Sequence, residues 1–121
     1  MPNRLSRGKE TGVNHPLEIT IVEERDAIVF RLVGDMDMVG APRLRAAVLE
    51  AERDADSPLV LDMRGVDFLD SSGIAELVDL QQTAANCNPV VLINPSSQAM
   101  KVLQLSGVIQ LFDVRNDTEA G

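Results

Sequence analysis

The stretch FLDSSGIAELVDL, residues 68–80, joins an apolar segment to an amphipathic one through Asp70, two serines and Gly73. Ile74 and Leu77 recur at helical spacing after the glycine. The stretch therefore predicts a strand, a short turn and a helix. Two hydroxyls beside a carboxylate at such a turn fit three uses, which are helix capping, a hydrolase nucleophile and a phosphate acceptor.

Strand and helix patterns alternate along the rest of the chain. Period-two and short apolar runs predict strands over 17–24, 27–33, 59–63, 89–94 and 108–114. A hairpin turn at 24–26 joins the first two strands, and Gly34 is expected to end the second. Amphipathic patterns predict helices over 40–56, from 74 to 85 and over 96–106, the last stopped by Gly107.

The resulting order, β-β-α-β-α-β-α-β, predicts a single α/β domain. Strand-helix-strand units pair in parallel through right-handed crossovers, so the sheet is mixed and mostly parallel, with about five strands. The helices are expected mainly on one face, with the first strand antiparallel at the edge. We place this domain at 17–114, between a flexible basic tail (1–16) and a frayed C-terminus (115–121).

Charge and composition argue against nucleic acid as a partner. The total charge is −8, and residues 1–16 carry +2, so the remaining chain carries −10. Phosphate backbones are bound chiefly through Lys and Arg. In this domain, acidic residues outnumber these basic residues. The chain has three Phe and no Trp or Tyr, which leaves little for stacking on bases.

Single cysteine and histidine residues limit the chemistry further. Cys87 is the only cysteine, and no run approaches the ~20 apolar residues of a membrane span, which favours a cytoplasmic protein. His15 is the only histidine, so no catalytic triad and no multi-histidine metal site can form. No glycine-rich phosphate loop is present. We therefore expect neither a metal nor a cofactor.

Three loops are expected to form a working surface at one edge of the sheet. In open α/β sheets, function gathers where the carboxyl ends of the strands meet the following loops. These loops are GDMDMVG (34–40) with Asp35 and Asp37, FLDSSG (68–73), and NPSSQ (94–98) with Ser96 and Ser97.

Two enzymatic interpretations fit parts of this edge. Asp35 and Asp37 have the Asp-x-Asp spacing of small Mg²⁺-dependent phosphatases, but no convincing second acid pair follows, and Lys101 lies within a helix pattern. Asp70 could be the acceptor of a response-regulator receiver, yet no lysine follows the last strand. Plain turn or capping acids remain the simple alternative for Asp35 and Asp37.

Capping and phosphorylation are both open for Asp70, Ser71 and Ser72. Any of these side chains could accept the free N–H groups of the helix start. A phosphoserine is also favoured at a helix N-terminus by the helix dipole and the exposed amides. Its added charge beside Asp70 would repel an approaching partner. Such a site would be a substrate and a binding switch, and the protein itself would not be an enzyme.

The segment LVLDMRGVDFLDSSGIAELVDL, with RLVGDMD upstream and NPSSQAMKVLQLSGVIQLFDV downstream, resembles the STAS domains of anti-sigma factor antagonists. The likeness covers roughly residues 17–114. It implies a partner-switching protein, in which the serine directly after the aspartate, Ser71 here, is phosphorylated. The family's loop acid corresponds to Asp37, with Asp35 where glutamate is usual. Asp70, Ser72, Gly73, Ser96 and Ser97 complete the expected partner-binding surface.

The resemblance also implies the partners. An anti-sigma factor that is itself an ATP-dependent serine kinase of the GHKL type binds the unphosphorylated antagonist and thereby frees a sigma factor. Phosphorylation ends the binding, and a PPM-type serine phosphatase reverses it, within a programme such as stress response or sporulation. The family also contains passive scaffolds, which remain the alternative. The chain is expected to be a monomer or a weak dimer.

Overall fold

A computed structural model describes residues 15–24, 27–51, 57–83 and 89–116. Five strands and three α-helices are present in these ranges, together with one 3₁₀ helix. The elements are β1 Glu18–Glu24, β2 Ala27–Met36, α1 Gly40–Glu50, β3 Leu59–Leu69, α2 Ser71–Thr83, β4 Val91–Ile93, α3 Ser97–Ser106, the 3₁₀ helix Val108–Leu111 and β5 Asp113–Arg115. No helix of the described segments has the length and apolar character needed to cross a membrane.

The strands follow one another across a single five-stranded sheet in the order β1-β2-β3-β4-β5. β1 pairs with β2 in antiparallel register, from Glu18 opposite Val33 to Glu24 opposite Ala27. The remaining neighbours pair in parallel. Each parallel pair is joined by a crossover that contains a helix, as the strand-helix alternation requires. The predicted α/β fold with a mixed, mostly parallel sheet and an antiparallel edge strand is confirmed.

One apolar core lies between the sheet and the helices. Alternate positions of the central strands face it, including Phe30 and Leu61, both fully buried. Leu44, Leu77 and Leu103 supply one fully buried leucine from each α-helix. Each such side chain stabilises the fold by about 1.5–3 kcal/mol. The opposite face of the sheet carries a smaller group, built on Val29, Val60 and Val91.

The expectation that the second strand ends at Gly34 was wrong. Gly34 has φ of +118°, and the register with β3 shifts there, but pairing continues with Asp35 opposite Phe68 and Met36 opposite Leu69. The glycine forms an irregularity within the ladder because it alone tolerates this backbone conformation. Asp35 therefore lies within β2, before the loop that was predicted to contain it.

The last predicted strand, 108–114, was also wrong in its first half. Gly107 ends α3 in the left-handed conformation, with φ of +81°, and Val108–Leu111 continue as a 3₁₀ helix. Only Asp113–Arg115 form β5, opposite Val91–Ile93. A short apolar run suits either form, since both bury one side, so periodicity could not separate them.

Several other predictions fall on residues that the structure does not describe. These are the tail over 1–14, the turn residues 25–26, the ends of the first and second predicted helices (52–56 and 84–85), Cys87, and the last residues of the frayed C-terminus (117–121). Two residues assigned to the tail, His15 and Pro16, are described. The backbone of His15 is hydrogen-bonded to Asp35. The domain boundary at residue 17 remains a prediction.

Candidate functional site

Asp70 caps the start of α2. Its Oδ1 accepts hydrogen bonds from the backbone N–H groups of Ser72, at 2.8 Å, and Gly73, at 3.1 Å. Two of the free donors at the helix N-terminus are thereby satisfied by one carboxylate, which also interacts favourably with the helix dipole. The sequence left open which of three side chains caps α2, and the structure shows that it is Asp70.

The two serines after Asp70 are not used for capping. Ser71 is exposed and Ser72 is half-buried, in the first turn of α2. Neither hydroxyl forms a hydrogen bond with any described residue. By contrast, the hydroxyl of Ser96, which caps α3, forms two hydrogen bonds. A hydroxyl that stabilises nothing in the fold is available for a reaction or a partner.

Gly73 fits α2 against the end of β2. A Cβ built on this residue would collide with the carbonyl oxygen of Met36 and lie 2.6 Å from Leu69 Cδ1. The residue is buried. That Gly73 belongs to the partner-binding surface stays a prediction, and the close packing is unfavourable to it, because the protein's own chain fills the space beside the residue. Its absent side chain allows α2 to approach the sheet.

The loop between β2 and α1 lies next to this helix start. Met36 and Leu69 are register partners, and the Asp70 N–H donates to the Met36 carbonyl at 3.3 Å. Asp37 follows Met36 directly and is half-buried. Its Oδ1 accepts the N–H groups of Val39, at 3.0 Å, and Gly40, at 2.8 Å, which orders the loop into α1.

Asp35 is placed differently from Asp37. It is only 6% exposed, and its Oδ2 accepts the backbone N–H of His15 at 2.9 Å. The His15 carbonyl in turn accepts the Asp35 N–H, also at 2.9 Å. Both acids thus bond backbone N–H groups, as expected of turn and capping acids. A direct partner contact by Asp35 stays a prediction, and its burial is unfavourable to it.

Exposed apolar side chains complete this part of the surface, and none of them was predicted from the sequence. Met38 is 73% exposed, Val39 60% and Phe68 44%. Large exposed apolar residues that lie close together mark interaction surfaces in soluble proteins. Their signal was present in GDMDMVG, where Met38 and Val39 stand between a capping acid and a helix start. We call the whole surface the carboxyl edge, which comprises Asp37, Met38, Val39, Phe68, Asp70, Ser71 and Ser72.

The start of α3 is engaged with the interior of β3. The Ser96 hydroxyl donates to the Val66 carbonyl at 2.6 Å and accepts the Ala99 N–H at 3.1 Å. β3 runs three more residues beyond Val66 to Leu69, which is about 10 Å at the usual strand rise. The structure therefore does not place Ser96 at the level of the carboxyl edge. Ser97 is exposed in the first turn of α3.

An ion-pair network ties α2 to α1. Arg45 of α1 contacts Glu76, with Nε 3.3 Å from Oε1, and also contacts Asp79. Glu76 is only 8% exposed, and its Oε2 has no hydrogen-bond partner among the described residues. Burial raises the pKa of Glu76, while Arg45 opposes that shift. The side-chain hydrogen bond that Arg45 donates to Asp79 is the main cause that raises the pKa of Arg45.

Chemically, the carboxyl edge offers acids, free hydroxyls and apolar side chains. The two candidate acids of a phosphatase, Asp35 and Asp37, do not share one environment, since the first is buried against His15 and the second caps α1. A hydroxyl beside a carboxylate at a helix N-terminus can be phosphorylated. The arrangement suits recognition and modification by a partner.

Comparison with known proteins identifies the family. The family model for the STAS domain matches residues 18–121. An anti-sigma F factor antagonist of Lysinibacillus sphaericus is 29% identical over 86 residues, which are 69% of this chain and 74% of that protein. The anti-sigma-F factor antagonist RsfB of Mycobacterium tuberculosis is 23% identical over 108 residues, which are 87% of this chain and 88% of RsfB.

Solved structures of similar fold agree with this assignment. The crystal structure of an anti-sigma factor antagonist from Mycobacterium paratuberculosis superposes with a TM-score of 0.71 at 22% identity, over 82% of this chain and 85% of that one. The antagonist SpoIIAA, in its unphosphorylated form, gives 0.61 at 23% identity, over 84% and 90%. These likenesses show the same fold. The family-model match over residues 18–121 shows that this chain belongs to the STAS domain family.

Proposed function

We propose that this chain is an anti-sigma factor antagonist, a non-enzymatic module whose partner binding is controlled by phosphorylation of Ser71. Relatives that carry this name match across most of the chain, which supports the role. The partner would be an anti-sigma factor with ATP-dependent serine kinase activity of the GHKL type. Binding it would release a sigma factor in the cytoplasm, and a PPM-type phosphatase would restore the unmodified protein.

The observation that carries the proposal is the division of labour at the start of α2. Asp70 supplies the cap, at 2.8 and 3.1 Å, so the adjacent Ser71 hydroxyl is exposed and has no part in stabilising the helix. A modification of that hydroxyl leaves the fold intact. It changes only the surface that a partner meets.

The carboxyl edge would bind the kinase through two kinds of contact. Met38 and Val39 present exposed apolar area on the carboxyl edge, and Asp37 and Asp70 supply its carboxylates. A complementary surface would carry an apolar depression with basic residues at its rim. Kinase active sites also need a serine hydroxyl that can approach ATP, and Ser71 satisfies this requirement by its exposure.

Phosphorylation would oppose this binding electrostatically. The kinase would transfer the γ-phosphoryl group of ATP to Ser71 Oγ, whose proton is lost, and ADP would leave. The phosphate adds a charge of ≈ −1.5 to −2. The amides of Ser72 and Gly73 already bond Asp70, so they are not free to hold the phosphate. It would therefore extend outward beside a carboxylate, where it alters both the charge and the shape of the docking surface.

The test is a phosphorylation assay joined to affinity capture. Wild-type protein should recover a serine kinase from native cell extract, and that kinase with ATP should add one phosphate per chain. Ser71→Ala should abolish the incorporation, whereas Ser72→Ala and Ser97→Ala should retain it. Ser97 is the matched control, because it holds the same first-turn position in α3 and is also exposed.

Two outcomes would contradict the proposal. Undiminished phosphorylation of Ser71→Ala would remove Ser71 as the acceptor. Equal recovery of the same kinase by wild type and Ser71→Asp would mean that the serine does not control binding, as expected of a passive STAS scaffold. Intact folding of each variant is checked by circular dichroism.

A further inference from the structure

Three metal-ligating side chains converge where the chain enters β1 and β2 reaches its carboxyl end. They belong to His15, Asp35 and Asp67, and one ligand atom from each lies within 4.8 Å of the other two. His15 Nδ1 and Asp67 Oδ2 are 3.7 Å apart. The group combines one imidazole nitrogen with two carboxylates from different segments.

The backbone holds His15 in this position. Its N–H and carbonyl both bond Asp35, at 2.9 Å each, in a two-point contact that extends the edge of the sheet. Gly34 permits the approach, because a Cβ there would lie 2.5 Å from the Pro16 carbonyl oxygen and 2.9 Å from that of His15. The imidazole therefore leaves from a fixed main chain beside the two carboxylates.

Asp35 places a buried carboxyl group in this cluster. It is 6% exposed, and in the described part of the chain it forms no ion pair with Lys or Arg. A backbone N–H is the donor to its Oδ2. Burying a carboxylate without a compensating charge is costly, and a bound cation would remove that cost.

We propose that His15, Asp35 and Asp67 bind a divalent transition-metal cation of the Zn²⁺ class, with water in the remaining position. At Zn–N and Zn–O distances near 2.1 Å, two donors on one ion lie no more than roughly 4.2 Å apart. The His15–Asp67 separation of 3.7 Å already meets this limit. Their side chains are 54% and 60% exposed, so small rotations can bring the group together.

The donor set determines which cation fits. Imidazole nitrogen suits Zn²⁺, Ni²⁺ and Cu²⁺, whereas Mg²⁺ and Ca²⁺ prefer oxygen alone. The absence of a multi-histidine site, noted from the sequence, does not bear on this group, because it needs a single histidine. The inference is independent of the proposed phosphorylation, since neither Ser71 nor its kinase enters it.

A bound cation would fasten the segment before β1 to the carboxyl end of β2. It would also offset part of the net negative charge of the domain. The metal-bound protein should therefore resist unfolding better than the metal-free protein, because a ligand that binds only the folded state stabilises it.

Isothermal titration of untagged protein with ZnCl₂ tests the site directly. One Zn²⁺ should bind per chain, and His15→Ala and Asp67→Asn should each weaken binding at least tenfold. Both replaced side chains are exposed, so neither variant threatens the fold. Glu18→Gln removes a nearby exposed acid of β1 and should bind like wild type, as should Cys87→Ser, which removes the only thiol.

A second measurement locates the ion. His15 is the only histidine, so its imidazole proton resonances are identified without further assignment, and they should shift on addition of Zn²⁺ and remain unchanged with Mg²⁺. The proposal is overturned by lack of saturable Zn²⁺ binding to wild type, by full binding to His15→Ala, or by loss of binding in Cys87→Ser.

Discussion

The starts of α2 and α3 have similar sequences and opposite uses of serine. Each follows a strand and contains a Ser-Ser pair, Ser71-Ser72 in one and Ser96-Ser97 in the other. In α3 the first serine is the cap, bonded to Ala99 N–H and to the Val66 carbonyl. In α2 an aspartate takes that place, and the serines move one position into the helix.

This one-residue offset separates a serine hydroxyl that caps its helix from serine hydroxyls that do not. A serine at the cap is held by the backbone that it satisfies. Ser71, one position later, is exposed, and its hydroxyl forms no hydrogen bond with the described residues. The third residue after the cap differs too: α3 has the buried Ala99, and α2 has Gly73. The glycine is needed in α2 because a Cβ there would meet the backbone of β2 at Met36.

The largest predicted contrast is in partner binding. Ser71→Asp should weaken binding of the captured kinase at least a hundredfold, about 2.8 kcal/mol, because it places a second carboxylate beside Asp70 in the docking surface. Ser97→Asp adds the same charge at the same position of α3 and should change the affinity less than threefold. Biolayer interferometry with both variants measures the difference.

An equal loss of affinity in both variants would return the α3 start to the binding surface, as the sequence analysis expected. It would also mean that added charge acts over the whole domain. High salt distinguishes these cases, because interactions between exposed charges that are farther apart than the Debye length are screened most strongly.

The next contrast concerns the glycine of α2. In an ordinary helix, Gly→Ala stabilises by about 1 kcal/mol. Gly73→Ala should instead destabilise by about 2 kcal/mol, because the new methyl group meets the Met36 carbonyl and Leu69. The reciprocal change, Ala99→Gly, should cost about 1–2 kcal/mol through lost helix propensity and a lost buried methyl. Urea denaturation gives both values, and a Gly73→Ala protein more stable than wild type would refute the close approach.

Periodicity was enough to predict most of the fold. The alternation of strand and helix patterns sets the sheet order and direction, because short crossovers leave few topologies. It failed where local sequence suits two structures. Gly34 can end a strand or distort one, and which it does depends on whether residues 35–36 find partners in β3, which is a long-range fact. The run over 108–111 is short and apolar, so its sequence pattern does not separate a strand from a 3₁₀ helix.

The sequence places a candidate site at the start of α2, but it does not show which residue there has which structural role. Asp70, Ser71 and Ser72 all have capping side chains, and only the geometry distinguishes the residue that accepts the N–H groups. The packing role of Gly73 depends on Met36, which is distant in sequence. Patterns within one segment do not contain that information.

Removing the cap of either helix should lower the free energy of unfolding moderately, whereas removing the non-capping Ser71 hydroxyl should change it little. Asp70→Ala and Ser96→Ala should each destabilise by about 1 kcal/mol, because each leaves backbone donors of a first turn unsatisfied. Asp70→Asn should retain most of the stability, since the amide oxygen still accepts. Ser71→Ala should lie within about 0.5 kcal/mol of wild type, because its hydroxyl bonds no described residue. A Ser71→Ala loss as large as that of Ser96→Ala, measured by thermal unfolding, would make Ser71 structural.

The smallest predicted effect is a pH dependence of stability that arises from the contact between α2 and α1. Arg45 and Glu76 join these two helices, whereas α3 is joined to β3 through Ser96. Burial raises the pKa of Glu76 above its ordinary value of 4.5, so the folded protein binds its proton more tightly than the unfolded chain does. Stability from this group is therefore lost as pH rises from 4.5 towards the folded pKa, and the loss is complete above it.

Glu76→Gln cannot ionise and should lack this slope, so its free energy of unfolding relative to wild type should increase across that interval. Glu50→Gln, an exposed acid of α1, serves as the control and should follow the wild-type profile. Urea unfolding in a series of buffers from pH 4 upward measures all three. Parallel profiles for wild type and Glu76→Gln would mean that the Arg45 interaction fully compensates the burial of Glu76, and α2 would then be anchored by an ion pair with no pH dependence in this range.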